Sequence, residues 1–122
     1  MVREREFLGV DELVALHRQA SSVGEFDNAF IDNGKLDFIV AKIVNTNGIN
    51  KKAMELVKGI VQGHPFGDGN KRTAALALVV FLEMNGKHLI VSDKTIERFL
   101  LNIAQEKITN KQVTEWIANN SR

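Results

Sequence analysis

Apolar residues recur every three or four positions over most of the chain, which is the spacing of α-helices that bury one face. The pattern predicts a first helix at about residues 11–20, a second at about 35–44 and a third from about residue 50. A fifth helix is predicted after residue 92 and a sixth after residue 109. The residues expected on the buried faces are Leu13 and Leu16, then Leu36, Ile39, Val40 and Ile43, then Met54, Val57, Ile60 and Val61, then Ile96, Phe99, Leu100 and Ile103, and finally Val113, Trp116 and Ile117.

The fourth predicted helix differs from the others because its middle, ALALVVFL, is apolar on every face. We expect it to begin at Gly69 or Asn70 and to end before Asn85-Gly86, where glycine takes the left-handed conformation at low cost. A helix that is apolar all round is surrounded by other helices. The predicted fold class is therefore all-α, a six-helix bundle around a buried central helix in one domain over residues 1–122, with a short β segment or flap compatible with residues 87–91.

Polar residues in front of the apolar stripes are candidates for helix N-caps, because a short oxygen-bearing side chain accepts from a free backbone N–H. We expect Asp11 to cap the first helix, Asn50 the third and Ser92 the fifth. Thr109, followed three residues later by Gln112, is typical of a capping box at the sixth helix.

Composition and charge exclude several classes of protein. The chain has no cysteine, which rules out disulfide scaffolds, thiolate zinc sites and cysteine nucleophiles. Its net charge of +1 gives no general attraction to nucleic acid or acidic membranes. The longest apolar run, residues 74–82, is far below the ~20 residues that span a bilayer. The N-terminal MVREREF has no apolar segment of the kind a secretory signal needs. We therefore expect a soluble cytoplasmic protein with neither nucleic acid nor a membrane as partner.

One stretch, HPFGDGNKRT at residues 64–73, concentrates polar chemistry between the third and fourth helices. Pro65 disfavours the α conformation at His64, so the third helix should end there. Phe66 is the large apolar side chain that we expect to hold this loop on the core. Gly67 and Gly69 allow positive φ and leave the backbone open to a closely bound ligand, which makes both candidates for phosphate or nucleotide binding.

The remaining residues of the loop suit phosphoryl chemistry, which needs positioning and charge neutralisation. Asp68 offers an oxygen ligand to Mg²⁺, and Asn70 can hydrogen-bond a phosphate. Lys71 and Arg72 place two cations in the first turn of a helix, where the dipole favours anions, so an anionic ligand between them would account for the arrangement. His64 can take a proton from an attacking hydroxyl near neutral pH.

Each of these residues also has a structural interpretation. Asp68 is equally compatible with a simple helix N-cap, and the two glycines with a turn. Histidines are more often structural, and we interpret His17, beside the apolar stripe of the first helix, and His88, after a glycine turn, in that way. The functional hypothesis depends on the combination, because a purely structural loop needs no histidine, carboxylate and cation pair together.

The combination resembles the signature of the Fic/Doc family, His-x-Phe-x-Asp/Glu-Gly-Asn-Gly-Arg-x-x-Arg, which lies between two helices of an all-α core. The chain matches this signature at His64, Phe66, Asp68, Gly69, Asn70 and Arg72. The opening FLGVDELVALH, the segment AALALVVFLEMNGK and the short final helices resemble the Doc (death-on-curing) branch, so that the resemblance covers the whole chain.

Two departures from the Fic signature bear on which of the family's two reactions, AMP transfer or phosphate transfer, is expected here. Lys71 replaces the second glycine of Gly-Asn-Gly, and Ala75 stands at the last arginine position. Fic enzymes that transfer AMP use that glycine and arginine to place the phosphates of the nucleotide. Doc-type proteins carry Asn-Lys-Arg, bind ATP reversed and transfer its terminal phosphate to a serine or threonine hydroxyl. The resemblance therefore implies a protein kinase, with an AMP or other nucleotide transferase as the alternative.

The resemblance also implies a role for each residue of the loop. His64 would be the general base, and Asp68 would hold Mg²⁺. The backbone of Gly69 with Asn70, Lys71 and Arg72 would bind the phosphates of ATP.

The resemblance implies partners as well. Substrates of the family dock beside a flap between the second and third helices, which here is reduced to NTNGIN, and elongation factor Tu is the target that the Doc likeness suggests. Family members are often inhibited by a glutamate in a Ser/Thr-x-x-x-Glu-Gly/Asn motif. SSVGEF places Glu25 correctly but has Phe26 after it, so we interpret it as a coincidence. A toxin of this branch would then be neutralised by a small antitoxin protein.

A third alternative is a helical binding module without enzymatic activity. It predicts a basic recognition helix or a damaged motif. The sequence has neither, because its positive charges are scattered and His64, Asp68, Asn70 and Arg72 are all present.

Overall fold

The computed structural model describes residues 8–21 and 30–122. These residues form six helices, so the prediction of an all-α bundle is confirmed. The helices are α1 (Val10–Ser21), α2 (Asn33–Val44), α3 (Ile49–Gly63), α4 (Asn70–Met84), α5 (Asp93–Ala104) and α6 (Asn110–Asn119). Within the described ranges, no helix has the length and apolarity that crossing a bilayer requires.

Helices α3 and α4 together form the centre of the bundle, so the central position predicted for α4 is shared with α3. Helix α4 packs against α1, α3 and α5, while α3 also packs against α2, α5 and α6. The fully buried residues of α4 are Thr73, Ala74, Ala77, Leu78, Phe81 and Leu82. Ala75, Leu76 and Val79 remain half-buried on a side of α4 that no helix of the described chain covers completely. The prediction that α4 is enclosed on every side therefore holds for all but this strip.

The helix ends that carry strong local signals are where the sequence places them. Ser92 accepts from the backbone N–H of Thr95, and Thr109 with Gln112 forms the predicted capping box. Helix α4 stops at Met84, and Gly86 has φ of 77°. The expected stop after α4 and the caps of α5 and α6 are therefore confirmed.

Three helix starts differ from the prediction. Helix α1 begins at Val10, so that Asp11 lies inside the first turn and Glu12 reaches back to the N–H of Gly9 at 2.9 Å. Helix α2 begins two residues earlier than expected, with Asp32 as its cap. Helix α3 begins at Ile49 after Gly48, which supplies no side chain, so the prediction of Asn50 as its cap was wrong.

The extended segment predicted at residues 87–91 is confirmed as a short pairing with the end of the described chain. Leu89 and Ser121 form an antiparallel bridge. The N–H of His88 donates to the carbonyl of Arg122 at 2.7 Å, and that of Ile90 donates to Asn120 at 2.9 Å. This pairing fixes the α4–α5 connection against the end of α6.

A glycine at the contact between α2 and α3 gives a first testable prediction. A Cβ on Gly59 would lie 2.7 Å from Cγ1 of Ile39, with two more atoms of that side chain within 3.3 Å. Gly59→Ala should therefore lower the free energy of unfolding by about 1–3 kcal/mol, the usual cost of overpacking a core. Urea unfolding followed by circular dichroism measures it.

Gly63 provides the matched control, because a Cβ there meets no atom within 4 Å. Gly63→Ala should raise the free energy of unfolding by about 0.5–1 kcal/mol through its helix propensity alone. Equal effects of the two substitutions would show that α2 and α3 do not approach as closely as described.

Candidate active site

The motif loop, residues 64–69, begins with a sharp change of backbone direction at His64. Helix α3 ends at Gly63, as predicted, and His64 takes the left-handed conformation with φ of 52° and ψ of 58°. Its N–H still donates to the carbonyl of Ile60, so His64 closes the last turn of α3. The side chain of His64 is exposed. The loop thus starts with a strained residue whose imidazole faces solvent.

Phe66 anchors the motif loop in the core, as its apolarity predicts. Its side chain is only 1% exposed. The ring stacks on that of His17 from α1, with 3.9 Å between centroids and 7° between planes. Burial of a phenylalanine side chain is worth about 2–3 kcal/mol, enough to hold a short loop in one place.

The side chain of Asn70 closes the loop from the other end. Its Oδ1 accepts from the N–H of Phe66 at 3.1 Å, and its Nδ2 donates to the carbonyl of Phe66 at 2.8 Å. One N–H of the amide remains for a ligand. The structure therefore gives Asn70 a positioning role in the loop, which limits the phosphate contact that the sequence suggested for it.

A short extended segment in front of α2 pairs with the motif loop. The N–H of Asp32 donates to the carbonyl of Pro65 at 2.7 Å, and the N–H of Gly67 donates to the carbonyl of Phe30 at 3.1 Å. Between them, Ile31 and Phe66 form an antiparallel bridge. A Cβ on Gly67 would lie 3.0 Å from the Phe30 Cβ, so a side chain at this position would crowd Phe30.

The segment that pairs with the motif loop is therefore residues 30–32, and not residues 45–50, where the flap was expected. Residues 45–48 between α2 and α3 form a tight turn. In this turn the backbone N–H groups of Asn45 and Thr46 donate to the carbonyls of Ala41 and Ile43, respectively. The extended pairing was missed because Phe30 to Asp32 is too short a run to show a strand periodicity. The potential inhibitory motif with Glu25 lies outside the described residues.

Asp68 lies one residue before the N-cap of α4 and does not cap this helix. The N-cap is Gly69, with φ of 77°, which makes no side-chain hydrogen bond to the first turn. Asp68 is exposed, and its Oδ1 accepts from the N–H of Gly69 at 2.7 Å. The N-cap alternative was thus wrong. The carboxylate keeps its other oxygen for a ligand, and the N–H groups at the start of α4, which have no side-chain cap among the described residues, suit an anion.

A groove of about 1210 Å³ opens beside the start of α4, between the end of α1 and α5. Five of the predicted site residues line it, namely Asp68, Gly69, Asn70, Lys71 and Arg72. His64 and Gly67 do not line it. The structure thus brings four of the five phosphate-binding candidates together in one groove, and it leaves the fifth, Gly67, and the proposed base His64 outside the groove.

The groove changes character with distance from the loop. Beyond the cations, its floor is apolar and comes from the half-buried strip of α4, Ala75, Leu76 and Val79. Its far rim, on α5, alternates charges: Asp93, Lys94, Glu97 and Arg98. A charged entrance that leads to an apolar floor suits a ligand with an anionic end and a flat apolar end.

The described residues are also compatible with a magnesium ion that is bound partly by the protein and partly by phosphate oxygens. No group of three or more histidines, aspartates or glutamates converges in residues 8–21 and 30–122, so this part of the chain forms no all-protein cage. Mg²⁺ commonly takes one or two carboxylates and fills its other positions with phosphate oxygens and water. The exposed carboxylate of Asp68 at the mouth of the groove fits that mode.

The two histidines interpreted as structural behave differently. His88 is on the surface, 3.8 Å from a carboxylate oxygen of Glu83. His17 is buried, only 1% exposed, and its Nε2 lies 2.9 Å from the carbonyl oxygen of Asp68. Its position in the sequence, four residues after Leu13 on the buried face of α1, was visible, but its contact with the motif loop was not.

The left-handed backbone at His64 yields a second testable prediction. A side chain in this conformation costs about 1–2 kcal/mol that glycine avoids. His64→Gly should therefore be more stable than His64→Ala by about 0.5–1 kcal/mol, even though glycine has more freedom in the unfolded chain. Thermal and urea unfolding of the two variants measure the difference. Greater stability of the alanine variant would contradict the left-handed conformation.

Comparison with known proteins agrees with the geometry of the loop. The family model described as Fic/DOC family matches residues 7–82, which include α1, the segment before α2, the motif loop and most of α4. A search of curated proteins gives no significant match. The matched region covers more than half of the chain and contains every residue of the loop discussed above. The chain therefore belongs to the Fic/DOC family.

Proposed function

We propose that this protein is a Doc-like protein kinase that transfers the γ-phosphate of ATP to a serine or threonine hydroxyl of a protein. Members of its family transfer nucleotide or phosphate groups, so the family gives the general class of reaction. The main support for a kinase comes from the start of α4. There Lys71 and Arg72 lie at the mouth of the groove, beside N–H groups to which the N-cap Gly69 makes no side-chain bond.

The start of α4 is suited to a chain of phosphates. The free N–H groups and the helix dipole attract an anion, and the two cations of the first turn, which the dipole disfavours, become favourable once that anion is bound. Arg72 can bind two oxygens of one phosphate, whereas Lys71 adds a point charge. The groove continues for about 12 Å between residues 71 and 79 of α4, room for the sugar and base.

Lys71 favours the kinase over the AMP transferase. A glycine at this position allows the phosphates to approach the backbone, and the lysine side chain occupies that space and adds a charge. Ala75 removes the arginine that the transferases use. Both changes support a nucleotide bound with its terminal phosphate, rather than its α-phosphate, at the transfer point.

The exposure of His64 outside the groove supports a role toward the acceptor rather than the nucleotide. This residue lies outside the groove, on the exposed end of α3, where a hydroxyl of a second protein can reach it. In the proposed step His64 takes the proton of that hydroxyl while its oxygen bonds to the γ-phosphorus. The bond from that phosphorus to the β-phosphate oxygen breaks, and ADP leaves.

Mg²⁺ would neutralise charge on the phosphates when bound, and Asp68 would hold it at the mouth of the groove. The carboxylate is already oriented by its hydrogen bond to the Gly69 N–H. A preformed ligand of this kind reduces the reorganisation that the reaction needs.

The proposal extends to the biological role. The run Asn70-Lys71-Arg72, which resembles that of the Doc branch, supports a toxin that is paired with a small antitoxin protein. Elongation factor Tu is the first protein substrate to test, because it is the target that this likeness suggests.

A labelling experiment tests the reaction. The purified protein is incubated with Mg²⁺ and elongation factor Tu, and in parallel with cell lysate, using ATP labelled at either the α- or the γ-phosphate. We expect protein-bound label from the γ position only. His64→Ala should lower it by at least ~10²-fold, the usual contribution of a general base.

His88→Ala is the matched control, because His88 is an exposed histidine away from the motif loop and should leave the label unchanged. Label from the α position would contradict the kinase and identify a nucleotide transferase. Label that persists in His64→Ala would contradict the role of His64.

A further inference from the structure

His17 makes two contacts with the motif loop across a large separation in sequence. It lies on α1, 51 residues before Asp68, and with Thr73 it is one of the two buried polar residues in the described chain. Its ring stacks on Phe66, and its Nε2 lies 2.9 Å from the backbone oxygen of Asp68. The same side chain therefore contacts the anchor of the loop and the residue proposed to hold the metal.

The contact with Asp68 fixes the role of the imidazole nitrogen. A carbonyl oxygen only accepts hydrogen bonds, so Nε2 must carry the proton and donate it. The bond is directional, and it lies beside the buried face of α1, where a hydrogen bond is stronger than in water. A residue that only filled space would need no such donor.

The peptide group between Asp68 and Gly69 transmits this contact to the carboxylate. Its carbonyl accepts from His17, and its N–H donates to Oδ1 of Asp68 at 2.7 Å. Because a peptide group is planar, holding its carbonyl fixes the direction of its N–H. That N–H in turn orients the Asp68 carboxylate, directly before the left-handed Gly69 from which α4 starts.

We propose that His17 is a positioning residue for Asp68, which it orients through the Asp68–Gly69 peptide group. It acts on the ligand of the metal and on the anion-binding start of α4 together, and it touches neither ATP nor the protein substrate. The orientation follows from the geometry of the loop alone. Its consequence for metal binding rests on the proposed function.

Two substitutions separate the donor from the packing. His17→Phe keeps an aromatic ring for the stack on Phe66 but has no donor for Asp68. His17→Gln keeps a donor nitrogen at a similar reach but loses the stack. His88→Gln, at the exposed histidine, is the matched control.

The first measurement is amide hydrogen exchange by NMR in the absence of nucleotide and metal. We expect the N–H of Gly69 to exchange at least ~10-fold faster in His17→Phe than in the wild type, because the peptide group is no longer held. His17→Gln and His88→Gln should stay within about threefold. Unchanged exchange in His17→Phe would overturn the proposal whether or not the protein is a kinase.

The second measurement is Mn²⁺ affinity, followed by electron paramagnetic resonance with a non-hydrolysable ATP analogue present. Loss of a group that orients a metal ligand typically weakens metal binding 10–100-fold. We expect His17→Phe to lose at least ~10-fold and His17→Gln to recover most of it. Faster exchange at Gly69 with unchanged Mn²⁺ affinity would overturn the link to Asp68.

The wild type supplies a measurement that needs no variant, should His17→Phe fail to fold. A protected Nε2–H resonance of His17, with a coupling across the hydrogen bond to the carbonyl carbon of Asp68, is expected. A proton on Nδ1 only, with Nε2 unprotonated, would overturn the proposal directly.

Discussion

The burial of Phe66 is the interaction on which the geometry of the site depends. The side chain lies in the core below an exposed loop, and three groups hold it or its backbone. His17 stacks on its ring, the amide of Asn70 bonds to both its N–H and its carbonyl, and Ile31 pairs with it as a β-bridge. Because these contacts come from α1, from the segment before α2 and from α4, a shift of the loop would break contacts with three parts of the chain.

Candidate site residues on either side of the anchored Phe66 are exposed. His64 precedes the anchor, while Asp68, Lys71 and Arg72 follow it, beside the N-cap Gly69, which supplies no side chain to α4. A buried anchor and the exposed candidate site residues thus lie within ten residues of sequence. Two features of this region are locally unfavourable: the left-handed backbone of His64, and the two cations Lys71 and Arg72 at the positive end of the helix dipole. Both lie where a nucleotide and a protein substrate would use them.

Local signals explain what the sequence predicted well. The caps Ser92 and Thr109 and the stop after Met84 depend on residues within one turn, and the buried stripes follow helical periodicity. The predictions of Asp11 and Asn50 as caps failed because α1 and α3 begin one residue before them, at Val10 and Ile49, which places both residues inside the first turn. The contact of His17 with Asp68 and the pairing of residues 30–32 with the motif loop join distant parts of the chain. No periodicity or local propensity encodes such contacts.

A crystal structure with Mg²⁺ and a non-hydrolysable ATP analogue is the most direct test of a preformed site. We expect the terminal phosphate over the N–H groups of residues 70–72, with the metal on Asp68 and the sugar and base in the groove between α4 and α5. We also expect the two hydrogen bonds between Asn70 and Phe66 and the bond from His17 to Asp68 to be unchanged. A nucleotide bound elsewhere, or a loop that rearranges to bind it, would contradict the claim that the site is preformed by the anchoring of Phe66.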